Sequence, residues 1–373
     1  MLELIIKAAP IPIALIIPFV FLVALRTFDL HKTAKFGINI ATLICGVIAY
    51  LLAAQINPAV ANTGWLEWKQ VVRYVAPVVE EILKAIILIY LVNRADFNYI
   101  VDGALYGFGA GIGFAIIENV EYVQGNLESA MVIALARVFS TNLMHATSSG
   151  LIGTALAFHR GSTDKRRGMF AIVGGYLLAI FFHGLFNTMV NAGTFLVFAI
   201  VYGVVGAALI WFAIRHGMDA QRGWVGEKLG MQDRVTKEET RAVTSIDTMV
   251  ETLIEPFRER FGDEKVPLVK ELMYKQAEMG IKRKLLDATP SPTKHKEVED
   301  IIQGLYKEME ILRKGIGMYQ MMFVREVYLG QDIRLWDRLQ ARIAETSTGQ
   351  KGGGLWDMAT DKIKQSKSQE ENQ

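Results

Sequence analysis

The sequence has one cysteine and, in its first 214 residues, very few charges. The cysteine, Cys45, lies in an apolar run, so an intramolecular disulfide and a thiolate zinc cluster are both excluded. Up to residue 214 the chain has 24 Lys, Arg, Asp and Glu residues, about 11%, whereas the other 159 residues contain 54, about 34%. The first value excludes a soluble globular domain, and the second is ordinary for one. The net charge of +2 is too small to indicate nucleic-acid binding.

Long apolar stretches fill this charge-poor part of the chain. A helix that crosses a bilayer core needs about 20 mostly apolar residues, and seven stretches meet that requirement. They predict an all-α fold, a polytopic membrane helix bundle followed by a C-terminal helical domain. The stretches are 4–25, 36–54, 71–92, 101–122, 131–158, 169–192 and 194–214.

Lys and Arg are distributed unevenly between the two sides that seven spans would create. Ten fall on one side, and only Lys7 and Lys69 fall on the other. Because Lys and Arg accumulate in cytoplasmic loops, we expect a cell-membrane protein with its N-terminus outside and its C-terminal domain in the cytoplasm. The ten are Arg26, Lys32, Lys35, Arg94, Arg160, Lys165, Arg166, Arg167, Arg215 and Arg222.

The fourth stretch is rich in glycine. Gly103, Gly107 and Gly111 are spaced by four residues, as are Gly109 and Gly113. Small residues at this spacing let membrane helices approach closely. The pattern predicts tight packing, which an enclosed polar site would also require.

Seven titratable side chains lie well inside the predicted spans. Each charged one costs about 2.5–3.5 kcal/mol at the centre of a membrane helix, and the default interpretation of such residues is a functional interior site. They are Glu80, Glu81, Lys84, Glu118, Arg137, His145 and His183.

The spacing of these residues suggests how they meet. Glu80 and Glu81 precede Lys84 by four and three residues, so both carboxylates can reach one ammonium on the same helix. Such a group is either an acid and base pair or a self-neutralised ion cluster. His145 and His183 each lie on a stripe of polar residues spaced by four. At 1.5 Å per residue their depths are similar, so we expect four helices to converge on one pocket open to the outer face.

Four motifs in this order resemble the PrsW family of intramembrane proteases, which is related to the CPBP proteins and the type II CAAX prenyl endopeptidases. The resemblance covers residues 71–191 and does not extend to the C-terminal domain. The motifs are EExxK at Glu80–Lys84, FxxxE at Phe114–Glu118, His145 followed by the small residues 147–150, and HxxxN at His183–Asn187.

The resemblance implies an endopeptidase that hydrolyses a peptide bond of another membrane protein, near the outer half of the bilayer. Known family members cleave a single-pass anti-sigma factor on its outer side during stress signalling, which would make this regulated signalling proteolysis. The catalytic candidates are Glu80, Glu81, Glu118, His145 and His183. The supporting candidates are Lys84, Phe114, Arg137 and Asn187.

Two chemistries fit these candidates. Glu80 or Glu81 could activate water as a general base, or His145, His183 and Glu118 could hold a divalent metal such as zinc with one position open for water. The helical HExxH motif is absent, so the sequence slightly favours a site with no firmly held metal. A proton-coupled carrier, a peptide-binding membrane scaffold and a silent protease relative remain alternatives. The lack of an internal repeat disfavours the carrier.

The charge-rich part predicts a cytoplasmic helical bundle over residues 215–350 and a flexible tail over 351–373. Thr236 and Glu239 have the spacing of a capping box, and amphipathic stretches cover 266–286 and 296–329. No catalytic group is recognisable here, and the location suggests binding of a cytoplasmic regulatory partner.

Overall fold

The computed structural model describes residues 9–25, 35–162, 164–190, 195–230, 233–245, 248–289 and 291–325. Throughout these ranges the regular structure is helical and no strand occurs. The prediction of an all-α fold is therefore confirmed. The predicted tail at 351–373 and the beginning of the first predicted span lie outside the described residues.

The helices of the membrane part lie on the predicted apolar stretches, although the fifth stretch forms two helices and the helices of the second and seventh stretches extend beyond them. A π-helical turn, Val71–Val75, leads without a break into the third of them. In chain order they are α1 (Pro10–Leu25), α2 (Phe36–Asn62), α3 (Ala76–Val92), α4 (Ile100–Gly125), α5 (Ala130–Phe139), α6 (Thr141–Gly161), α7 (Lys165–Val190) and α8 (Phe195–Lys228).

Four helical segments in the described part of the chain are long and apolar enough to cross a membrane. A shorter apolar helix, Pro10–Val23, precedes them. The membrane bundle is thus confirmed, while the total of seven spans stays a prediction. The four segments are Phe36–Asn62, Ile100–Gly125, Leu127–Gly161 and Lys165–Met189.

The fifth predicted span is divided at Ser140. Its backbone departs from helical geometry, with φ −115° and ψ −66°, and its hydroxyl donates to the carbonyl of Ala136 over 2.7 Å. A serine that bonds back to the preceding turn bends a helix. The expected single stripe through Arg137 and His145 therefore belongs to two helices, with Arg137 on α5 and His145 on α6.

Helix α4 lies at the centre of the membrane bundle, where 94% of the residues in its apolar 18-residue segment are buried. A Cβ built on Gly111 would overlap the carbonyl oxygen of His145, and one on Gly107 would overlap that of Ser149. On its other face a Cβ on Gly113 would overlap the carbonyl oxygen of Leu43 on α2. The glycines let α2 and α6 touch the backbone of α4, which confirms the predicted tight packing.

The C-terminal helices form a bundle around an apolar core that includes Leu272, Met273, Ile302 and Met309. Helix α8 runs past the proposed boundary at residue 214 and contributes Val225 to this core. The remaining helices are α9 (Lys237–Thr244), α10 (Glu255–Phe261), α11 (Val266–Asp287), α12 (Pro292–Ile316) and α13 (Met318–Val324).

The C-terminal bundle has the predicted capping box, but one of its predicted helical stretches ends early. Both hydrogen bonds of the Thr236–Glu239 capping box are present. The stretch predicted to continue from 296 to 329 instead ends at Ile316, because Gly317 has a φ of 96°, a left-handed conformation that interrupts a helix.

The C-terminal bundle docks on the loop between α3 and α4. Lys282 Nζ donates to the carbonyl oxygens of Ala95 (2.7 Å) and Phe97 (3.3 Å). Lys294 Nζ donates to Asn93 Oδ1 over 2.8 Å. The bundle therefore contacts the C-terminal end of α3, whereas the EExxK motif lies nearer the N-terminal end of that helix.

Candidate active site

Helix α3 presents its two glutamates in different ways. Lys84 Nζ lies 2.7 Å from Glu81 Oε1, and both side chains are fully buried. Glu80 makes no ion pair with Lys84, and its Oε1 instead accepts a hydrogen bond from Asn57 Nδ2 over 3.2 Å. The spacing allows both carboxylates to reach the ammonium, but in the structure Glu81 makes this contact while Glu80 is bonded to Asn57 of the neighbouring helix α2.

His183 on α7 joins the two glutamates. Its Nδ1 lies 2.9 Å from Glu81 Oε1, and its Nε2 lies 3.5 Å from Glu80 Oε2. Because an ionised carboxylate only accepts, Nδ1 carries the proton of a neutral ring, and Nε2 directs its lone pair toward Glu80. The imidazole is thereby fixed in one tautomer by Glu81.

His145 on α6 lies between Lys84 and Glu118. Its Nδ1 is 2.9 Å from Lys84 Nζ, and its Nε2 is 2.9 Å from Glu118 Oε2. An ammonium only donates, so Nδ1 accepts and the proton of the neutral ring lies on Nε2, facing Glu118. The rings of His145 and His183 are 4.8 Å apart, centroid to centroid. Two imidazoles from different helices thus share one small volume.

Arg137 holds Glu118 from the other side. Its Nη2 lies 2.9 Å from Glu118 Oε2, its Nε donates to Asn119 Oδ1 over 2.8 Å, and its guanidinium stacks on the ring of Tyr122. Asn119 in turn donates to Asn142 Oδ1 over 2.8 Å. Arg137 therefore acts as the counter-ion of Glu118 at the edge of the site.

Phe114 and Asn187 frame the site. The Phe114 ring centroid lies 4.8 Å from Lys84 Nζ and 4.8 Å from the His145 ring, so Phe114 forms an apolar wall. Asn187 Nδ2 donates to the carbonyl of Val72 over 3.0 Å. This bond ties α7 to the π-helical turn before α3.

The site is closed on most sides. Glu81, Lys84 and His145 have no exposed surface, and the side chain of His183 is 2% exposed. Those of Glu80 and Glu118 are 11% and 21% exposed. The site therefore opens toward Glu80 and Glu118.

One group of donors among the described residues has the arrangement of a metal site. Glu80, His145 and His183 each offer one ligand atom, and these atoms lie within 4.8 Å of one another. Two imidazoles and a carboxylate are a common ligand set of catalytic zinc. The third donor in this group is Glu80, whereas the sequence hypothesis chose Glu118.

The model of a family described as "PrsW family intramembrane metalloprotease" matches residues 30–214, about half of the chain. This range contains all of the site residues described above.

The chain belongs to the PrsW family of intramembrane metalloproteases.

Three relatives named Protease PrsW are similar over the same part. That of Geobacillus kaustophilus is 29% identical over 177 residues, 47% of this chain and 72% of the relative. That of Clostridioides difficile is 29% identical over 149 residues, 38% of this chain and 61% of the relative. That of Bacillus subtilis is 30% identical over 144 residues, 38% of this chain and 63% of the relative. No solved structure matches the chain.

Membership in the PrsW family confirms the resemblance inferred from the four motifs and makes this chain an intramembrane protease. The family's description as metalloproteases suggests a metal, whereas the sequence analysis slightly favoured a site without a firmly held one because the HExxH motif is missing. Donor atoms gathered from three separate helices need no such local motif.

The site fits a metal ion on its own chemistry as well. Glu80 Oε2 is buried and has no hydrogen-bond partner, and it lies beside the lone pair of His183 Nε2. A neutral imidazole binds a metal through its unprotonated nitrogen, so His145 would join the group by giving up the contact of one ring nitrogen, either with Lys84 or with Glu118. The contact of His183 with Glu81 is the carboxylate contact that typically orients a metal-bound imidazole.

One residue of the PrsW site was not among the sequence candidates. Asn57 lies on α2, beyond residue 54, where the second apolar stretch was predicted to end. In a helix that ended at residue 54, Asn57 would lie in the following loop. Had the helix been extended to Asn62, a buried amide in a membrane span would have been a signal.

Proposed function

We propose that this PrsW-family chain hydrolyses a peptide bond of a membrane protein at the group formed by Glu80, His145 and His183. The observation that carries the proposal is the convergence of these three side chains from α3, α6 and α7 on one buried volume. Burying such groups without a function would only destabilise a membrane bundle.

Glu80, His145 and His183 are the residues that would hold a divalent metal such as zinc. When bound, zinc supplies Lewis acidity, which polarises a carbonyl and makes water more acidic. We favour Glu80 over Glu118 as the third ligand, because Glu118 Oε2 is already neutralised by Arg137 at 2.9 Å whereas Glu80 Oε2 has no partner.

Glu118 is our candidate for the proton carrier. Amide hydrolysis requires a base that takes a proton from water and an acid that returns one to the leaving nitrogen. Glu118 is the most exposed carboxylate of the group, at 21%, and it touches His145 Nε2. Its position at the mouth of the site lets it receive a proton and release it to the departing amine.

Glu81 and Lys84 act as positioning residues. Glu81 Oε1 is bonded to both Lys84 and His183, and Lys84 also contacts His145. This buried pair therefore fixes the orientation of both imidazoles at once. Because its charges balance, it can do so without leaving an unpaired charge in the membrane.

We further propose that the site lies in the outer half of the bilayer. The distribution of Lys and Arg in the loops predicts a cytoplasmic C-terminal bundle, and this bundle contacts the loop after Val92. Glu81 precedes Val92 by 11 residues, about 17 Å along a helix. A single-pass membrane protein cut near the outer half of the bilayer is the substrate that fits this depth, and a cytoplasmic regulatory partner would bind the opposite end.

The test uses the full-length chain in proteoliposomes with a set of single-pass membrane proteins as substrates. We expect cleavage by the wild type, loss of cleavage with a strong chelator, and recovery when zinc is added. Glu80→Gln, Glu81→Gln, Glu118→Gln, His145→Ala and His183→Ala should each lower the rate at least about 1,000-fold, since these residues act as one unit.

Metal content separates the proposed roles. Glu80→Gln and His183→Ala should bind zinc more weakly than the wild type, whereas Glu118→Gln should retain wild-type zinc affinity while losing activity. Full activity of His183→Ala, or wild-type cleavage that survives complete metal removal, would contradict the proposed chemistry.

A further inference from the structure

Helix α2 contributes a side chain to the site although it carries none of the four motifs. Asn57 is 7% exposed, and its Nδ2 donates to Glu80 Oε1 over 3.2 Å. We propose that Asn57 is a positioning residue that fixes the carboxylate of Glu80 so that Oε2 faces His183. This inference rests on the proposed function, in which Glu80 is a ligand.

The terminal torsion of a glutamate has a broad energy profile, so packing alone fixes a carboxylate poorly. A hydrogen bond to one oxygen selects an orientation. In Glu80 the bonded oxygen is Oε1, and the oxygen left without a partner is Oε2. The free oxygen is the one 3.5 Å from His183 Nε2. The Asn57 amide therefore binds Oε1 and leaves Oε2, the oxygen that faces His183, without a hydrogen bond.

The nearby cationic side chains, Lys84 and Arg137, do not hold Glu80 in place, because each is bonded to other groups. Lys84 is bonded to Glu81 and His145, and Arg137 is directed at Glu118. Among the described residues, Asn57 is the side chain that donates a hydrogen bond to Glu80. A neutral amide also leaves the carboxylate its full negative charge for binding a cation, whereas a lysine in the same place would offset it.

The sequence of α2 explains why Asn57 reaches α3. The buried residues of this helix recur every three or four positions and form one face. Most are small, so α2 can approach its neighbours closely. Asn57 is the last of this face, at the level of Glu80. The buried face consists of Asn39, Thr42, Gly46, Ala49, Tyr50, Ala53 and Asn57.

The experiment measures zinc affinity of the full-length chain in detergent by competition with a chelator, and cleavage kinetics in parallel. Asn57→Ala and the size-matched Asn57→Leu both remove the donor, and the second leaves no cavity. We expect each to weaken zinc binding about tenfold, the usual effect of losing an outer-shell partner, and to lower kcat with little change in KM.

The background variant Glu80→Gln shows whether Asn57 acts through Glu80. Zinc affinity of Glu80→Gln should not fall further when Asn57→Ala is added. The matched control is Asn39→Ala, a buried asparagine on the same face of α2 but 18 residues away, about 27 Å along the helix. It should leave zinc affinity and kcat within twofold of the wild type.

Three results would overturn the proposal. They are unchanged zinc affinity in both Asn57 variants, an equal loss in the Glu80→Gln background, and an equal loss in Asn39→Ala. If the wild type binds no zinc, the proposed function itself fails. The wild-type titration therefore distinguishes the two failures.

Discussion

The membrane bundle and the C-terminal bundle distribute polar and apolar side chains in opposite ways. In the membrane part, large apolar side chains such as Ile48, Ile86 and Phe181 are exposed on the outside, while Glu81 and Lys84 are fully buried. In the described C-terminal bundle the apolar side chains are inside, and the exposed large hydrophobic residues are Val250, Ile311 and Met318.

This difference reflects the different interactions that stabilise the two bundles. Lipid is as apolar as a leucine side chain, so helices in a membrane gain little by burying apolar faces and depend on close packing and hydrogen bonds. Glycines on α4 provide that packing. In water the C-terminal bundle instead gains about 25 cal/mol for each Å² of apolar surface removed from solvent.

The two bundles also differ in what their buried charges contact. In the C-terminal bundle, Lys282 donates to two carbonyls and Glu239 completes a capping box. In the membrane bundle, Glu80 and Glu81 contact an imidazole from another helix, and each keeps one buried oxygen without a partner. Asp233 in the C-terminal bundle also has a buried oxygen without a partner, so what distinguishes the membrane site is the convergence of titratable side chains from three helices.

Outside the site residues themselves, the largest effect expected in the membrane part concerns Gly111, where the packing of α4 determines the position of His145. In Gly111→Ala the new methyl would overlap the carbonyl oxygen of His145, so α6 must shift. A misplacement of about 1 Å can cost about 100-fold in rate. We expect a loss of cleavage of about that size, measured as kcat/KM in proteoliposomes.

Gly125→Ala is the matched control for Gly111. It changes a glycine of the same helix with nothing within 4 Å of the new Cβ, and it should keep wild-type activity. Normal cleavage by well-folded Gly111→Ala would show that glycine packing is not what positions the site.

The second prediction concerns Lys282 in the C-terminal bundle. Burial lowers the pKa of Lys282 from 10.5 to about 8. Between pH 8 and 10.5 the unfolded chain therefore holds a proton that the folded chain does not, so stability rises with pH in this window. The rise is roughly 3 kcal/mol, and Lys282→Met should remove it.

The measurement for Lys282 is the thermal unfolding midpoint of the full-length chain at several pH values from 7 to 10.5. Lys284→Met, on the same helix but with a side chain that is 24% exposed, should keep the wild-type dependence. A Lys282→Met variant with an unchanged pH profile would show that this lysine is not a buried structural cation.

The smallest predicted effect is at the start of α9. Thr236→Ala removes the oxygen that accepts from the backbone N–H of Glu239, and loss of such a cap costs about 1 kcal/mol. We expect a small decrease in the unfolding midpoint and cleavage within twofold of the wild type. Thr248→Ala, an exposed threonine outside the capping box, is the control. A large loss of cleavage in Thr236→Ala would mean that the two bundles are coupled more tightly than their contacts suggest.

Much of the site followed from spacing along single helices. The contact of Glu81 with Lys84 is an i,i+3 pair, and the membrane depth of His145 and His183 follows from residue counts. The division at Ser140 was missed because apolar composition continues across it. Asn57 was missed because the predicted span ended too early, and the choice of Glu80 over Glu118 as third donor depends on how α3 and α4 are rotated.

Hydropathy and helical periodicity, which are properties of a continuous stretch, were enough to predict that charged and imidazole groups lie inside a membrane, in which apolar stretches they lie, and that Glu81 can pair with Lys84 on one helix. Their partners on other helices became known only from the folded bundle. Lys84 contacts His145, Asn57 donates to Glu80, and Arg137 pairs with Glu118. These three contacts cross between helices, and the rotation and separation of the helices depend on how glycine faces and side chains pack, which no local pattern encodes.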